Sequence, residues 1–248
     1  MDFADWLAAR EGHDHAARHA PFAAALAGAL PPAPRVLDLA TGRGSNLRYL
    51  RRVLPADTAW TVLDADPALL ALVDLPCARL QRDLRAPMHD LPAVDAVVGS
   101  ALLDLVDGGF LDRLRDLVVS RRVPLLITLS VDGRLAWDRP DPDDARVHAW
   151  FRAHQDTDRG FGPSVGVRAV PELVARFSGT GFSVRTAEAD WRIPADAGAF
   201  LAEMRRGIAE AAREMADAPA VVDAWVARRA ALGGGLLVGH LDLLALPG

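Results

Sequence analysis

The chain has 248 residues, 51% of them apolar, and a formal net charge of −5 in which every strong positive charge is an arginine. That is enough for one large α/β domain with a full core, and the acidic balance argues against a nucleic-acid partner, whose phosphates are held by clustered positive charge. The N-terminus MDFADWLAAR carries two early acids and no apolar run reaches membrane-spanning length, so the expectation is a cytoplasmic protein with no signal peptide and no membrane partner.

In chain order, Phe3, Trp6 and Leu7 mark one face of a short first helix. A second helical stretch begins near Asp14, is interrupted near Pro21, resumes with Phe22, Leu26 and Leu30, and stops at Pro31-Pro32. His13, His15 and His19 lie in this region. With no cysteine, and with neighbouring carboxylates that do not make a convincing zinc set, they read as a solvated polar face, and no metal is expected. Next comes Arg35 to Leu50, RVLDLATGRGSNLRYL: an aliphatic strand, a glycine turn and a helix with Leu47 and Leu50 on one side. The glycines allow close approach of the backbone to a ligand, and the new helix offers unpaired N–H groups. About twenty residues later the run Trp60-Thr61-Val62-Leu63 ends in Asp64, a carboxylate at a strand tip placed to accept both hydroxyls of a ribose. Asp66-Pro67 starts a helix. A third strand spans Cys77 to Gln81, with the lone cysteine reading as a small hydrophobe. A fourth runs from about Ala93 to Ser100. Asp107-Gly108-Gly109 caps a helix, and a fifth strand spans Pro124 to Val131. Aliphatic strands alternating with helices predict a doubly wound, mostly parallel sheet whose ligand sits at the carboxyl ends of the strands.

The ligand implied is nucleotide-like, and spacing narrows it. A dinucleotide fingerprint counted from Gly42 would need a third glycine where Leu47 stands, and a P-loop would need a lysine, which the chain lacks. The stretch resembles motif I of the class I S-adenosylmethionine (SAM)-dependent methyltransferases. Asp38 stands at the acidic position, and Ala40, Gly42 and Gly44 at the three small ones, so the first glycine is an alanine. The resemblance continues through Asp64, Asp83 and the strand Asp95 to Ser100, and covers about Arg35 to Val131. It implies a Rossmann-like methyltransferase fold of seven strands with SAM as cofactor. It also implies that the cofactor is held by Asp38, the turn Ala40, Thr41, Gly42 and Gly44 with Asn46, by Asp64 and Ala65 at the ribose, by Asp83 and Leu84 at the adenine, and by Ser100 and Ala101. Arg18, just upstream of the motif, is the candidate to pair with the carboxylate of the methionine moiety. No Asn-Pro-Pro-Tyr type signature follows strand four, which argues against nucleobase N-methylation.

Beyond Val131 the pattern changes. The polar run DRPDPDDAR reads as a loop leading to a helix with Val147, Trp150, Phe151 and His154. A glycine-rich loop with Asp156, Asp158 and Arg159 follows, and it is expected to contact the methyl acceptor. Pro171 starts a helix, and Phe182 to Ile193 reads as strand six. Asp196 to Leu232 is helical, with Phe200, Met204, Ile208, Ala211 and Met215 in a stripe, and Leu236 to Leu246 is the last strand. The expected organisation is a single domain over 1–248. It has an N-terminal helical lid over 1–34, a SAM-binding half over 35–131 and a substrate half over 132–248 with insertions at 132–170 and 196–232. The insertion between the last two strands should cap the substrate end. The expected function is methyl transfer from SAM to a small-molecule acceptor, with His154, Asp158 and His240 as candidate bases. The rival readings are a non-catalytic SAM-binding regulatory protein and, less favoured, an NAD(P)-dependent oxidoreductase.

Overall fold

The computed structural model describes residues 2–158 and 160–248. Its centre is one sheet in the order β3-β2-β1-β4-β5-β8-β6, with the short β7 also paired to β8. Five strands, β1 (Arg35–Leu39), β2 (Ala59–Asp64), β3 (Ala78–Gln81), β4 (Ala96–Ser100) and β5 (Leu125–Trp137), are parallel. The last strand, β8 (Leu236–Pro247), runs antiparallel to β5 and to β6 (Phe182–Glu188) and β7 (Trp191–Ile193). The sheet is built outward from β1 in both directions, so the chain reverses its winding between β1 and β4, where open α/β sheets bind ligands.

Period-two side-chain alternation divides the core between the two faces. Leu37, Leu39, Val97, Leu125 and Ile127 pack with helices α5 (Gly108–Arg121) and α7 (Ala169–Arg176). Val36, Val62, Val98 and Leu126 pack on the other face with α2 (Ala20–Gly28), α3 (Ser45–Leu50) and α4 (Pro67–Ala71). Local chemistry starts these helices. Asp66 caps α4 by accepting from Ala68 N at 2.8 Å, with Pro67 in its first turn, and Asp107 caps α5 by accepting from Phe110 N at 2.7 Å.

A third apolar cluster lies beyond the sheet. It joins α6 (Asp144–Gln155), α8 (Gly198–Met215) and α9 (Pro219–Leu232) to Trp191, Ile193 and Leu236, around the fully buried Trp225. The stripe residue Ile208 belongs here, and Met204 packs against it. Buried Arg229 pairs with Asp144 at 3.2 Å and Arg228 with Asp141 at 2.8 Å, clamping α9 to the start of α6. Among the described residues no helix is long and apolar enough to cross a membrane.

Four expectations about elements change. The first helix, α1 (Phe3–Ala17), is continuous and ends at Arg18, whereas Pro21 sits harmlessly in the first turn of α2. Strand five does not stop at Val131 but continues to Trp137. The Asp132-Gly133-Arg134 segment is a bulge in the β5–β8 ribbon, with register shifts between Ile127 and Ser130 and again between Val131 and Leu135. Strand six is interrupted at Ala189-Asp190, and both pieces keep the same register on β8, so the sheet counts eight strands where seven were expected. Strand four begins at Ala96.

Candidate active site

A cavity of about 640 Å³ opens along the carboxyl ends of the strands, within the range of roughly 300–1,000 Å³ that small-molecule sites occupy. Strand order fixes the order of its walls. Asp64, Ala65, Asp83 and Leu84 line it at the β2–β3 end, and Ala40, Thr41, Gly42 and Asn46 line the middle. Ser100 and Ala101 follow at the tip of β4. Past them the wall is built by the outer run of β5 and β8, by α1, and by the cap helices.

The glycine turn is held from below. Asp38 is fully buried and accepts from Thr41 Oγ1 and from Asn46 Nδ2, both at 2.6 Å. Burial pushes its pKa up to about 6 against the pull of those two bonds. Asp64 accepts from Gly42 N at 2.8 Å through one carboxylate oxygen and from Asp66 N at 3.0 Å through the other. Each oxygen keeps a second lone-pair direction for a ligand on the cavity side. Gly44 has φ +82°, and a Cβ there would lie 3.1 Å from Val73 Cγ1. Gly44→Ala is expected to cost about 1–2 kcal/mol for the left-handed backbone alone, read as a lower urea midpoint; an unchanged midpoint would show the turn relaxes freely.

Three residues with side chains take the same unusual backbone at the rim. Ala40, Ala101 and Leu129 have φ of 49°, 51° and 57°, sit just past β1, just past β4 and at the first register shift within β5, and all line the cavity. Such conformations cost energy and persist where surrounding structure fixes them. Leu129 is fixed by Asp242, whose Oδ1 accepts from Leu129 N at 2.8 Å while Oδ2 accepts from His19 N at 2.9 Å. That buried carboxyl ties the junction of α1 and α2 to the sheet, and burial raises its pKa.

Arg18 is 6% exposed and does not line the cavity. Its guanidinium donates to Asn46 Oδ1 at 2.5 Å and to Ser100 Oγ at 3.1 Å and lies over the Tyr49 ring. It therefore stands behind two wall residues, joining the motif helix to the β4 tip, rather than facing a ligand carboxylate. Gly44 and Asp38 likewise support the wall from outside it.

The three base candidates separate. His154 does not line the cavity; its Nε2 lies 3.2 Å from Glu214 of α8. Asp158 is also off the wall and spends one carboxylate oxygen on Gly160 N and Gly162 N, at 2.7 and 2.9 Å. The tip of that loop, Gly160 and Phe161, reaches the cavity near Asp83. Arg85, which is paired with Asp83, donates to Gly160 O at 3.1 Å. Arg159 lies outside the described residues. His240 alone of the three lines the cavity. Its Nδ1 lies 3.0 Å from Val238 O, so Nδ1 carries the proton and Nε2 the lone pair. Burial lowers its pKa to about 4.

Sequence reasoning missed most of the rest of this chamber. Trp6, Arg10 and Asp14 on α1, Phe151 and Gln155 on α6, Trp191 and Met204 all face it. Asp14 accepts from Arg10 Nε at 3.0 Å and from Trp191 Nε1 at 3.1 Å, and the Arg10 guanidinium lies 4.8 Å from the Trp191 ring centre. Trp6 stacks on Phe200 with centroids 5.3 Å apart. The three N-terminal histidines diverge: His13 stacks on Phe200, His15 contacts Ser45, and His19 meets Phe22 edge-on. Among the described residues no cluster is arranged to hold a metal.

The fold has counterparts among solved structures. The chain is similar to YcgJ protein from Bacillus subtilis, with a TM-score of 0.53 and 11% identity over 93% of this chain and 100% of that one. It is also similar to a mycolic acid cyclopropane synthase complexed with SAH and CTAB, with a TM-score of 0.51 and 14% identity over 90% and 83% of the two chains. The fold is that of the class I SAM-dependent methyltransferases. A possible exported protein from Bordetella parapertussis shares it too, with a TM-score of 0.52 and 15% identity over 93% of this chain and 67% of that one. Neither a protein-family model nor a curated protein matches the sequence.

Proposed function

We propose that the protein binds SAM in this cavity and transfers its methyl group to a small-molecule acceptor. The observation that carries the reading is the continuity of one cavity from the Asp64 end, across the Ala40–Gly42 turn, into a chamber walled by aromatic side chains. Asp64 and Ala65 would hold the ribose, Asp83 and Leu84 the adenine, and the turn with Asn46, Ser100 and Ala101 the methionine moiety. Arg18 and Asp38 would keep Asn46 and Ser100 in place.

As the acceptor's nucleophilic atom bonds to the methyl carbon, the S–C bond breaks and its electron pair stays on sulfur. The chain's own residues then have three tasks: to align the nucleophile, to exclude water and, for an O–H or N–H acceptor, to take a proton. α1 and the α6–α8–α9 cap close the chamber. His240 Nε2 is the proton acceptor. A base of pKa about 4 suffices, because the acceptor's proton becomes strongly acidic only as the new bond to the methyl forms.

The fit to a nucleoside rests on Asp64, whose carboxylate is at the wall with capacity to spare. Asp64→Ala is expected to weaken SAM and its demethylated product SAH equally, by about tenfold to a hundredfold, the worth of a hydrogen bond to a charged group of roughly 1.5–3 kcal/mol. Unchanged affinity in the folded variant would remove Asp64 from the site. A non-catalytic SAM-binding protein would show the same affinities, and release of SAH from SAM in the presence of an acceptor separates the two readings.

A further inference from the structure

The chamber's chemistry narrows the acceptor further than "small molecule". Resting on the SAM reading above, we infer that the acceptor is a neutral, flat aromatic compound that offers a hydroxyl to His240.

The described charges beside Trp191 are already compensated, whereas Arg43, at the glycine turn, donates to Ala4 O at 2.8 Å. Arg10 is held bidentately by Asp14, which also takes the indole N–H of Trp191, and their side chains are only 15% and 8% exposed. Asp104, at the β4 side of the cavity, is not free either. Among the described residues beside Trp191, an acceptor carboxylate or phosphate would find no unengaged cation, and an acceptor ammonium no unengaged carboxylate. Seating either beside the buried Arg10–Asp14 pair would leave a partly desolvated charge without a partner, which is costly. His240 has Nδ1 committed to Val238 O, which leaves Nε2 to take a donor.

Shape points the same way. Trp6, Phe151, Trp191 and Met204 face the space, backed by Leu135 and Val238 from the β5–β8 ribbon. Trp6 and Trp191 are each braced by Phe200, with ring centroids 5.3 and 5.7 Å away, so neither is a loose flap. Rigid aromatic walls and a thioether favour a flat π-system in offset or edge-on contact over a saturated chain of equal volume. Transfer to such a hydroxyl forms the O–CH₃ bond. The hydroxyl proton passes to His240 Nε2 and on to solvent, and the sulfonium becomes a neutral thioether.

The test is calorimetric titration of the full chain, with and without SAH, using four probes of one skeleton: 2-naphthol, 2-naphthoate, 2-naphthylmethylammonium and decahydro-2-naphthol. 2-Naphthol should bind at least about tenfold more tightly than each of the others. In Asp14→Asn, where Arg10 loses its carboxylate, 2-naphthoate should gain on 2-naphthol. Equal or tighter binding of either charged probe to the unaltered protein overturns the neutrality. Equal binding of the saturated alcohol overturns the aromatic preference, and binding of no probe overturns the inference. SAH heats are read in the same runs, so a protein that prefers 2-naphthol but ignores SAH contradicts the cofactor reading while upholding the chamber's preference for a neutral aromatic hydroxyl.

Discussion

Replacing His240 by asparagine should slow methyl transfer by about 10²–10⁴-fold, the usual worth of a positioned acid or base, while SAM affinity stays within about twofold, the range of an uninvolved position. Among the three base candidates His240 alone lines the cavity, and its ring is oriented by one bond, from Nδ1 to Val238 O. Asparagine can still donate to that carbonyl, so the strand should keep its register, but it has no basic nitrogen to take the proton. Release of SAH from SAM with 2-naphthol as acceptor measures the rate, and titration of SAM measures the affinity. His154→Ala and Asp158→Asn should leave the rate nearly unchanged, since one faces Glu214 and the other holds its own loop. Loss of activity in those two with a normal His240→Asn variant would reverse the assignment.

Acid should destabilise the protein well above the range where most carboxylates titrate. His240 and His148 are both buried and both have pKa values lowered to about 4 by desolvation. His148 also accepts the Trp137 indole N–H at 3.3 Å through Nε2, a bond its protonation would break. The unfolded chain takes up these protons near pH 6.5 and the folded chain only near pH 4. Stability is therefore full above pH 6.5 and falls as pH drops through that window, by about 3 kcal/mol for each histidine. Asp38 acts oppositely. Its folded pKa of about 6 exceeds its unfolded value, so the folded chain takes its proton first and regains about 2 kcal/mol over the same window. A net loss of about 4 kcal/mol is expected from the three groups between pH 6.5 and 4. The lowered pKa values of Asp141 and Glu11, paired with Arg228 and Arg48, add to the loss as pH falls further. Urea unfolding at several pH values measures it. His148→Gln keeps an acceptor for Trp137 but cannot titrate, so its decline should be shallower by about 3 kcal/mol. The same pH dependence in variant and parent would show that His148 is charged in the folded protein or exposed in it.

What the sequence made legible was local. The motif from Arg35 to Leu50 folds as strand, turn and helix because its aliphatic run and glycines lie within sixteen residues, and Asp64 follows at the tip of β2, which a short crossover pairs directly with β1. The alternation of strands and helices likewise gave the doubly wound sheet. What failed depended on distant partners. Asp132-Gly133-Arg134 has the chemistry of a turn, but Arg134 is pinned to Asp190 at 2.7 Å, and the segment became a bulge in a longer strand. Arg10 and Asp14 show helical i,i+4 spacing, yet their meaning comes from Trp191, far along the chain. Periodicity put His154 on a helix without saying which way it faced. Phe151 and Gln155, four residues apart, line the cavity, and His154 is turned about 100° from Gln155 toward α8. Arg18 was the reverse case: its position upstream of the motif was visible, but not that Asn46 and Ser100 would stand between it and the ligand.

Titration calorimetry of the unaltered protein with SAM, SAH and NAD tests the central claim most directly. The cavity's carboxylate at the β2 tip, its left-handed turn at Ala40 to Gly44 and the lack of a lysine or a third glycine for a pyrophosphate predict one-to-one binding of SAM and of SAH and no heat with NAD. Binding of NAD, or silence toward both SAM and SAH from a folded protein, would contradict it.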